Sequence, residues 1–398
     1  MRLLLFTGKG GVGKTTLAAA TAATLAEQGK RTLVVSTDPA HSLADSFGVP
    51  VGSDPVAVRD RLRAVQVDPR ALADSVWHEL RGQLRTALTG VGIEALDAEE
   101  LTVLPGVDEL LALGEVRRHA VSGYWHAVVV DCGPTAETLR LLALPEAIAE
   151  YLRRLYGWRK GQRGRGGAAA TARGLADHLE SLRALLTDTD TTAVRLVLTP
   201  ERMVVAETRR TLTALALRGI RVDGLVANRL MPAPGFWRGG AASWLRQRRA
   251  EQEEVLAELR EVGLPPVRIV EHSATEPVGL DALAEISRQL YDGGDPLAGD
   301  APGQGTLLQV RPGPDGGYRL RVALPLAGNS AVELARVDDD LAITLDGHRR
   351  LVALPELLRA YEVTGAEYDE DGLVVSMGPP ACPGGPAGGE VSAGSVER

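Results

Sequence analysis

The feature that most constrains the fold of this chain is a glycine-rich segment close to its amino terminus. Residues 8–16 read GKGGVGKTT and fit the pattern G-x-x-x-x-G-K-[ST], with an additional lysine near the start. A short apolar run, Leu3–Phe6, precedes this segment, and an Ala- and Leu-rich stretch that ends at Gly29 follows it. Strand, glycine loop and helix in this order are the context that a phosphate-binding loop requires. The sequence therefore predicts a binding site for a nucleoside triphosphate.

The residue types in this loop suit the parts of a triphosphate. Backbone N–H groups and the amino terminus of the following helix surround an anion. Lys14 is expected to place a positive charge at the β- and γ-phosphates, and Thr15 to offer a hydroxyl to Mg²⁺. The residues predicted to bind the nucleotide are Gly8, Lys9, Gly10, Gly11, Val12, Gly13, Lys14, Thr15 and Thr16.

Short apolar runs recur through residues 1–291, with helical stretches between them. Fully apolar strands that alternate with helices predict a parallel sheet covered on both faces. The fold class expected is α/β, a P-loop NTPase with a mostly parallel sheet flanked by helices. Helical insertions are expected at about 74–121 and 145–186, and an Arg- and Gly-rich segment, 157–167, interrupts the second. The simplest interpretation of this segment is a solvated, mobile loop, and the alternative is a contact to nucleic acid or to an acidic surface. The apolar runs are Leu3–Phe6, Leu33–Val35, Val128–Val130, Val194–Leu198, Leu225–Val226 and Val267–Val270.

The pattern changes after residue 291. Residues 292–305 are rich in Gly, Pro and Asp and are predicted to form a linker. Over residues 306–377 apolar side chains alternate with polar ones, which predicts a small antiparallel β-sandwich. Residues 378–398 have almost nothing to bury and are expected to form a disordered tail.

Composition excludes several classes of protein. The net charge of −8 disfavours nucleic acid as the main partner. The chain has two cysteines, Cys132 and Cys382, and neither belongs to a CxxC pair, so a disulfide framework and a cysteine zinc site are not expected. No apolar run reaches the roughly 18 residues that a membrane span needs. The expected location is cytoplasmic.

Acidic residues follow two of the predicted strands. The strand that ends at Ser36 leads to Asp38, and the carboxyl ends of parallel strands lie beside the phosphate loop. Asp38 is a candidate for orienting or deprotonating the attacking water, and the alternative is a helix-capping aspartate. Asp131 follows Val128–Val130 and is placed to reach Mg²⁺ through water or through Thr15. Asn228, at the end of a third strand, fits either a contact to a base edge or an ordinary turn.

Taken together, these motifs resemble the deviant Walker A ATPases of the arsenite-pump (ArsA) family, which includes the eukaryotic tail-anchored-protein targeting ATPases. The resemblance covers residues 1 to about 290, and residues 304–377 resemble the small-heat-shock-like (HSP20-like) sandwich of some bacterial members. The segments that carry it are the loop with Lys9, Asp38–Ser42, Leu104–Glu109, Asp131–Arg140, Thr199–Glu201, Val226–Asn228 and Glu276–Leu280.

The resemblance implies roles for individual residues. Lys9 would be the signature lysine that reaches across a homodimer to the partner's nucleotide, which would be Mg²⁺-ATP. Lys14 would hold the phosphates, Asp38 would act on the water, and Asp131 would belong to the second switch. Asn228 would read adenine. The expected catalytic residues are thus Asp38, Lys14 and Lys9, and the expected metal site is Thr15 with Asp131 behind it.

The sequence leaves two uses of such an ATPase open. One is an energy-coupling subunit for anion transport with a membrane-protein partner. The other is a chaperone or targeting factor for hydrophobic helices. Arsenite is best held by soft thiolates, which two cysteines do not supply in the required number, and the targeting ATPases use a zinc-bridging CxxC pair that this chain lacks. A DNA-partitioning ATPase is a weaker third alternative, disfavoured by the acidic balance.

Overall fold

The computed structural model confirms an α/β architecture with a second, all-β unit near the carboxyl terminus. It describes residues 1–38, 42–68, 107–135, 138, 167–233, 235–236, 238–261, 265–298, 308–313, 317–322, 332–337, 340–345, 348–354, 356–369 and 372–379. Within these ranges the first unit contains eight strands in a single sheet, and the second contains two small antiparallel sheets.

The elements of the first unit alternate along the chain, as the sequence predicts. They are β1 (Arg2–Gly8), α1 (Lys14–Glu27), β2 (Thr32–Ser36), α2 (Ser42–Phe47), β3 (Val56–Arg59), β4 (Leu62–Gln66), α3 (Val107–Val121), β5 (Ala127–Pro134), α4 (Gly167–Thr187), β6 (Thr192–Leu198), α5 (Arg202–Leu217), β7 (Val222–Leu230), α6 (Gly240–Glu261), β8 (Val267–Glu271) and α7 (Leu280–Tyr291).

The large sheet has the strand order β3-β4-β2-β5-β1-β6-β7-β8. Every neighbouring pair is parallel except β3 with β4. The phosphate-loop strand β1 is central, with β5 on one side and β6 on the other. The strands β3 and β4 were not among the predicted apolar runs, because arginines interrupt both of them. Their addition places β4 beside β2, the strand that leads to Asp38.

Helix α1 is buried because its small side chains let it pack closely against other elements. Its alanines and leucines are almost fully buried. The hydroxyls of Thr21 and Tyr291 lie 2.6 Å apart, and the hydroxyl of Thr24 donates to that of Ser287 at 2.6 Å. Hydrogen bonds thus join the helix that begins in the phosphate loop to α7, the last helix of the unit.

A fully buried arginine lies within β6, a strand that the sequence analysis predicted from its apolar residues. Arg195 donates to both carboxylate oxygens of Asp223 at 3.1 Å and to the hydroxyl of Tyr291 at 2.8 Å. It also donates to the carbonyl of Pro296. A buried guanidinium needs partners for its N–H groups. The ion pair with Asp223 joins β6 to β7, and the hydrogen bonds to Tyr291 and Pro296 join both strands to the end of α7 and the segment that follows it.

The second unit contains seven strands and one short 3-10 turn in the described residues. One sheet has the order β14-β15-β10-β9 and the other β11-β12-β13. Leu341 and Ile343 of the smaller sheet share a core with Leu320, Leu373 and Val375 of the larger one. The predicted antiparallel sandwich is therefore confirmed. Its strands are β9 (Leu308–Pro312), β10 (Tyr318–Val322), β11 (Val332–Val337), β12 (Asp340–Leu345), β13 (His348–Ala353), β14 (Glu362–Asp369) and β15 (Gly372–Gly378).

Several predictions fall partly outside the described residues. Of the first helical insertion only α3 is described, and of the second only the part from residue 167 onward. The interrupting Arg- and Gly-rich segment lies outside except for its last residue, and so does the tail beyond residue 379. Of the linker, residues 292–298 are described, and Asp295 forms an ion pair with Lys30 at 2.7 Å. The domain boundaries remain predictions.

Candidate functional site

The glycine-rich loop connects β1 to α1 at the carboxyl edge of the sheet, and its glycines allow it to pass close to neighbouring backbone. Gly13 caps α1 in the left-handed conformation with φ of 96°. A Cβ atom at Gly13 would lie 2.3 Å from Nδ2 of Asn228, and one at Gly8 would lie 2.1 Å from the carbonyl oxygen of Val197. Side chains at these positions would therefore displace the loop, whereas a Cβ at Gly10 or Gly11 would meet nothing within 4 Å.

The two lysines of the loop differ in exposure. Lys14 begins α1, is 6% exposed, and its amino group donates to the carbonyl of Lys9 at 3.4 Å. It lines the cleft together with Gly11, Gly13, Thr15 and Thr16. The side chain of Lys9 is exposed, and Val12 is buried. Lys14 is thus folded back over the loop, where a point charge faces any bound phosphate.

Asp131, near the end of β5, is a fully buried carboxylate at the floor of the site. Ser36 donates to its Oδ2 at 3.1 Å, while Oδ1 is buried without a hydrogen-bond partner among the described residues. Burial raises the pKa of Asp131 to about 7, although hydrogen bonds from Thr15 and Ser36 and the charge of Lys14 act in the opposite direction. A buried oxygen without a partner needs a donor or a cation.

These oxygen donors suit Mg²⁺, which prefers carboxylate, hydroxyl and water oxygens. The hydroxyl of Thr15 lies 3.0 Å from that of Ser42, and Thr15 is close enough to Asp131 to lower the pKa of its carboxyl. The residues present therefore fit a cation held at Thr15 with Asp131 behind it. Ser42 was missed as a separate candidate because a serine at the start of a helix is most simply interpreted as a cap.

Asp38 lies two residues beyond the end of β2 and lines the same cleft. Its charge raises the pKa of Asp131, so the two carboxylates are near neighbours. Its backbone N–H donates to the Ser36 hydroxyl at 3.3 Å. The residues that follow, 39–41, lie outside the described part of the chain. The structure thus brings together both carboxylates that the sequence places at strand ends.

Asn228 lies at the loop, on the opposite side from Asp38 and Asp131 in the strand order. Its Nδ2 donates to the carbonyl of Val12 at 2.8 Å, and its Oδ1 accepts from the N–H of Arg229 at 2.9 Å. The side chain is 8% exposed and still borders the cleft. In this arrangement Asn228 supports the backbone of the phosphate loop, and its reading of adenine remains a prediction.

The cleft has a volume of about 660 Å³, within the range of small-molecule sites. The segment 270–278 forms its second wall, and of this segment the sequence analysis singled out only Glu276–Val278, as part of the family resemblance. Arg249 of α6 holds Glu271 at 2.8 Å and the carbonyl of Met231 at 2.7 Å. Arg229 adopts the left-handed conformation with φ of 62°, which non-glycine residues adopt mainly at functional or strained positions. No local sequence pattern distinguishes the rest of this wall, residues 270–275, from an ordinary strand end.

Cys132, next to Asp131, is buried and free. Burial raises the pKa of its thiol well above the usual range, so the thiol is protonated at neutral pH. A single buried thiol also falls short of the set of soft thiolate ligands that As(III) prefers. No helix within the described ranges is both long enough and apolar enough to cross a membrane.

Comparison with known proteins gives the family. Residues 1–292 match the model for anion-transporting ATPases of the ArsA type, and residues 315–377 match the HSP20-like domain found in ArsA. A protein of Chlorobaculum tepidum, provisionally named arsenical pump-driving ATPase, is 33% identical over 94% of this chain and 95% of its own length. Protein Rv2184c of Mycobacterium tuberculosis is 38% identical over 95% of this chain and 96% of its own length.

A further relative matches a smaller part of the chain. ATPase GET3 of Podospora anserina is 30% identical over 59% of this chain and 75% of its own length. The resemblance that the sequence motifs indicated is therefore confirmed for both units. This chain belongs to the ArsA family of anion-transporting ATPases and carries the family's HSP20-like domain.

Proposed function

We propose that this chain is a cytoplasmic Mg²⁺-ATP-hydrolysing switch that works as a homodimer and couples hydrolysis to anion transport or to client handling. The observation that carries the proposal is the meeting of three groups at one edge of the sheet. The phosphate loop with Lys14, which follows β1, and Asp38, which follows β2, line one cleft. Asp131 of β5 is buried behind them, where it accepts a hydrogen bond from Ser36. These are the parts that phosphoryl transfer to water needs.

The chain's own groups provide positioning and charge. Lys14 and the N–H groups at the start of α1 hold the β- and γ-phosphates, because they combine a point charge with the positive end of a helix. Thr15 and Asp131 would hold Mg²⁺, which supplies charge neutralisation at the phosphate oxygens when it is bound. The buried position of Asp131 makes it sensitive to the arrival of a cation, since its Oδ1 has no other partner among the described residues.

Asp38 is proposed to orient the attacking water and accept its proton. Its position beside the loop supports this role, since general bases act within hydrogen-bond distance of the proton that they remove. The alternative, a helix-capping role, is less favoured because Asp38 borders the cleft and lies close to Asp131.

Lys9 is proposed to act on the nucleotide of a second copy of the chain. Its exposed side chain at the outer side of the loop supports an intermolecular role, while its backbone carbonyl binds Lys14. The similarity to GET3 proteins further supports a homodimer, as does the match of Lys9 to the family's signature lysine.

Nucleotide binding is tested with Lys14→Ala, using Lys30→Ala as the matched control, since Lys30 pairs with Asp295 near the other end of α1. We expect calorimetric titration with Mg²⁺-ATP to give no binding heat for Lys14→Ala and normal heat for Lys30→Ala. Absence of binding by the folded wild-type protein would overturn the proposal.

The anion-transport and client-handling uses differ in what should stimulate the ATPase. An anion-transport subunit is expected to respond to an oxyanion or metalloid and to a membrane-protein partner. A targeting factor is expected to respond to a hydrophobic helical peptide, and the GET3 relatives favour this alternative. Turnover is therefore measured with arsenite, with antimonite and with such a peptide. Strong stimulation by arsenite would contradict the view that two cysteines are too few for metalloid chemistry.

A further inference from the structure

The hydrogen-bond ladder between β2 and β4 stops at the point where the chain leaves β2. In the parallel ladder Ser36 pairs with Gln66, and the N–H of Val67 donates to the carbonyl of Ser36 at 2.9 Å. The regular pattern would next join the carbonyl of Asp38 to the N–H of residue 69. Residue 69 is a proline, which has no N–H. Residue 69 therefore has no backbone N–H to offer to the carbonyl of Asp38.

Gln66 supplies a donor from its side chain. Its Nε2 donates to the carbonyl of Asp38 at 2.8 Å and approaches the carbonyl of Ser36 at 3.4 Å. Because both neighbours are carbonyl oxygens, the amide nitrogen rather than the amide oxygen must face them. The residue is 3% exposed, so water does not compete for this contact.

Asp38 is consequently held at both ends of its backbone. Its N–H donates to the hydroxyl of Ser36, which in turn donates to Asp131, and its carbonyl accepts from Gln66. Fixing both groups restricts the rotation of the peptide planes on each side of Cα, and this restriction aims the carboxylate. Oε1 of Gln66 is buried without a partner among the described residues. A buried oxygen without a hydrogen bond destabilises the folded state, and an apolar side chain at this position would not carry that penalty.

We propose that Gln66 is a positioning residue for ATP hydrolysis, which replaces the backbone donor that Pro69 lacks and thereby holds Asp38 in place at the cleft. The inference rests on the role proposed above for Asp38. Gln66 does not border the cleft itself, so it acts through Asp38 and not through the nucleotide.

The test is a double-mutant cycle between Gln66→Met and Asp38→Asn. Methionine keeps the length and volume of glutamine but removes the donor. We expect Gln66→Met to lower kcat about tenfold, as the loss of one buried hydrogen bond at a catalytic group does, with the KM for ATP changed by less than about twofold. In the Asp38→Asn background the same substitution should lower the residual rate by less than about twofold, since the group that it positions is already inactive.

The control is Gln28→Met, because the Gln28 side chain also donates to a backbone carbonyl, that of Gly294 at 3.0 Å, but near the other end of α1. Its turnover should match that of the wild-type protein. An unchanged kcat in Gln66→Met would overturn the proposal. Equal losses with and without the Asp38 carboxylate, or a parallel loss of ATP affinity and thermal stability, would assign Gln66 a structural role instead. Normal turnover in Asp38→Asn alone would refute the proposed role of Asp38, a result separate from the outcome for Gln66.

Discussion

Asp131 offers the sharpest quantitative test of the site, because the carboxylate is fully buried and one of its oxygens has no partner among the described residues. The perturbation is Asp131→Asn, which keeps the shape and an acceptor for Ser36 but removes the negative charge. Without Mg²⁺, we expect the variant to be more stable than the wild-type protein at alkaline pH, because no charge is then buried.

The magnitude follows from the pKa. The ordinary value is 3.8, and burial raises the pKa of Asp131 to about 7. Between these values the native carboxyl keeps a proton that the unfolded chain releases, so the free energy of unfolding decreases as the pH rises through this window. Below the window both states are protonated, and above it the full loss is present. Since one pKa unit corresponds to about 1.4 kcal/mol, the loss approaches about 4 kcal/mol.

The assay is thermal unfolding of both proteins in EDTA, from about pH 5 to about pH 8.5, so that most of the expected window is sampled. The variant's Tm should exceed that of the wild-type protein by an amount that grows up to about pH 7 and is then constant. Adding Mg²⁺ with ATP should stabilise the wild-type protein more than the variant, because only the carboxylate attracts the cation. A difference in Tm that does not vary with pH would refute the reasoning, as would a variant that is less stable at alkaline pH.

Three other substitutions test the remaining roles. Asp38→Asn should retain ATP binding but lower turnover by about 10²- to 10⁴-fold, the range for loss of a general base, as measured by steady-state ATPase kinetics. Lys9→Ala should lower turnover only under conditions where sedimentation shows a dimer, and an unchanged rate in the dimer would argue for another arrangement. Asn228→Ala should weaken ATP and GTP binding equally if the residue only supports the loop through Val12, whereas a selective loss of ATP affinity would show that it reads adenine.

Local sequence patterns predicted which residues of the candidate site lie close together. The phosphate loop could be identified because its glycines, lysine and threonine are consecutive, and the flanking strand and helix have clear periodicity. Asp38 and Asp131 could be placed at one edge because parallel strands align their carboxyl ends. Their catalytic roles remain predictions, but their proximity is a property of the fold.

Other parts of the site depend on contacts between distant segments. The wall at residues 270–278 faces the loop only because β8 is the edge strand beyond β7, and the arginine that holds Glu271 lies 22 residues earlier, in α6. The contact of Asn228 with Val12 spans 216 residues of sequence. No spacing rule relates such residues, so only the packed structure identifies them.

By itself, the sequence determined the two-unit architecture, the phosphate loop and the likeness to a family of ATPases, because each depends on residues that are neighbours along the chain. Only the tertiary structure decided that Arg195 is buried against Asp223, that Cys132 is a protonated core thiol, and that the amide of Gln66 extends the ladder beyond β2 to Asp38. The physical reason is that burial, hydrogen-bond partners and neighbouring charges arise when the sheet assembles, and together they set the charge state and position of a side chain.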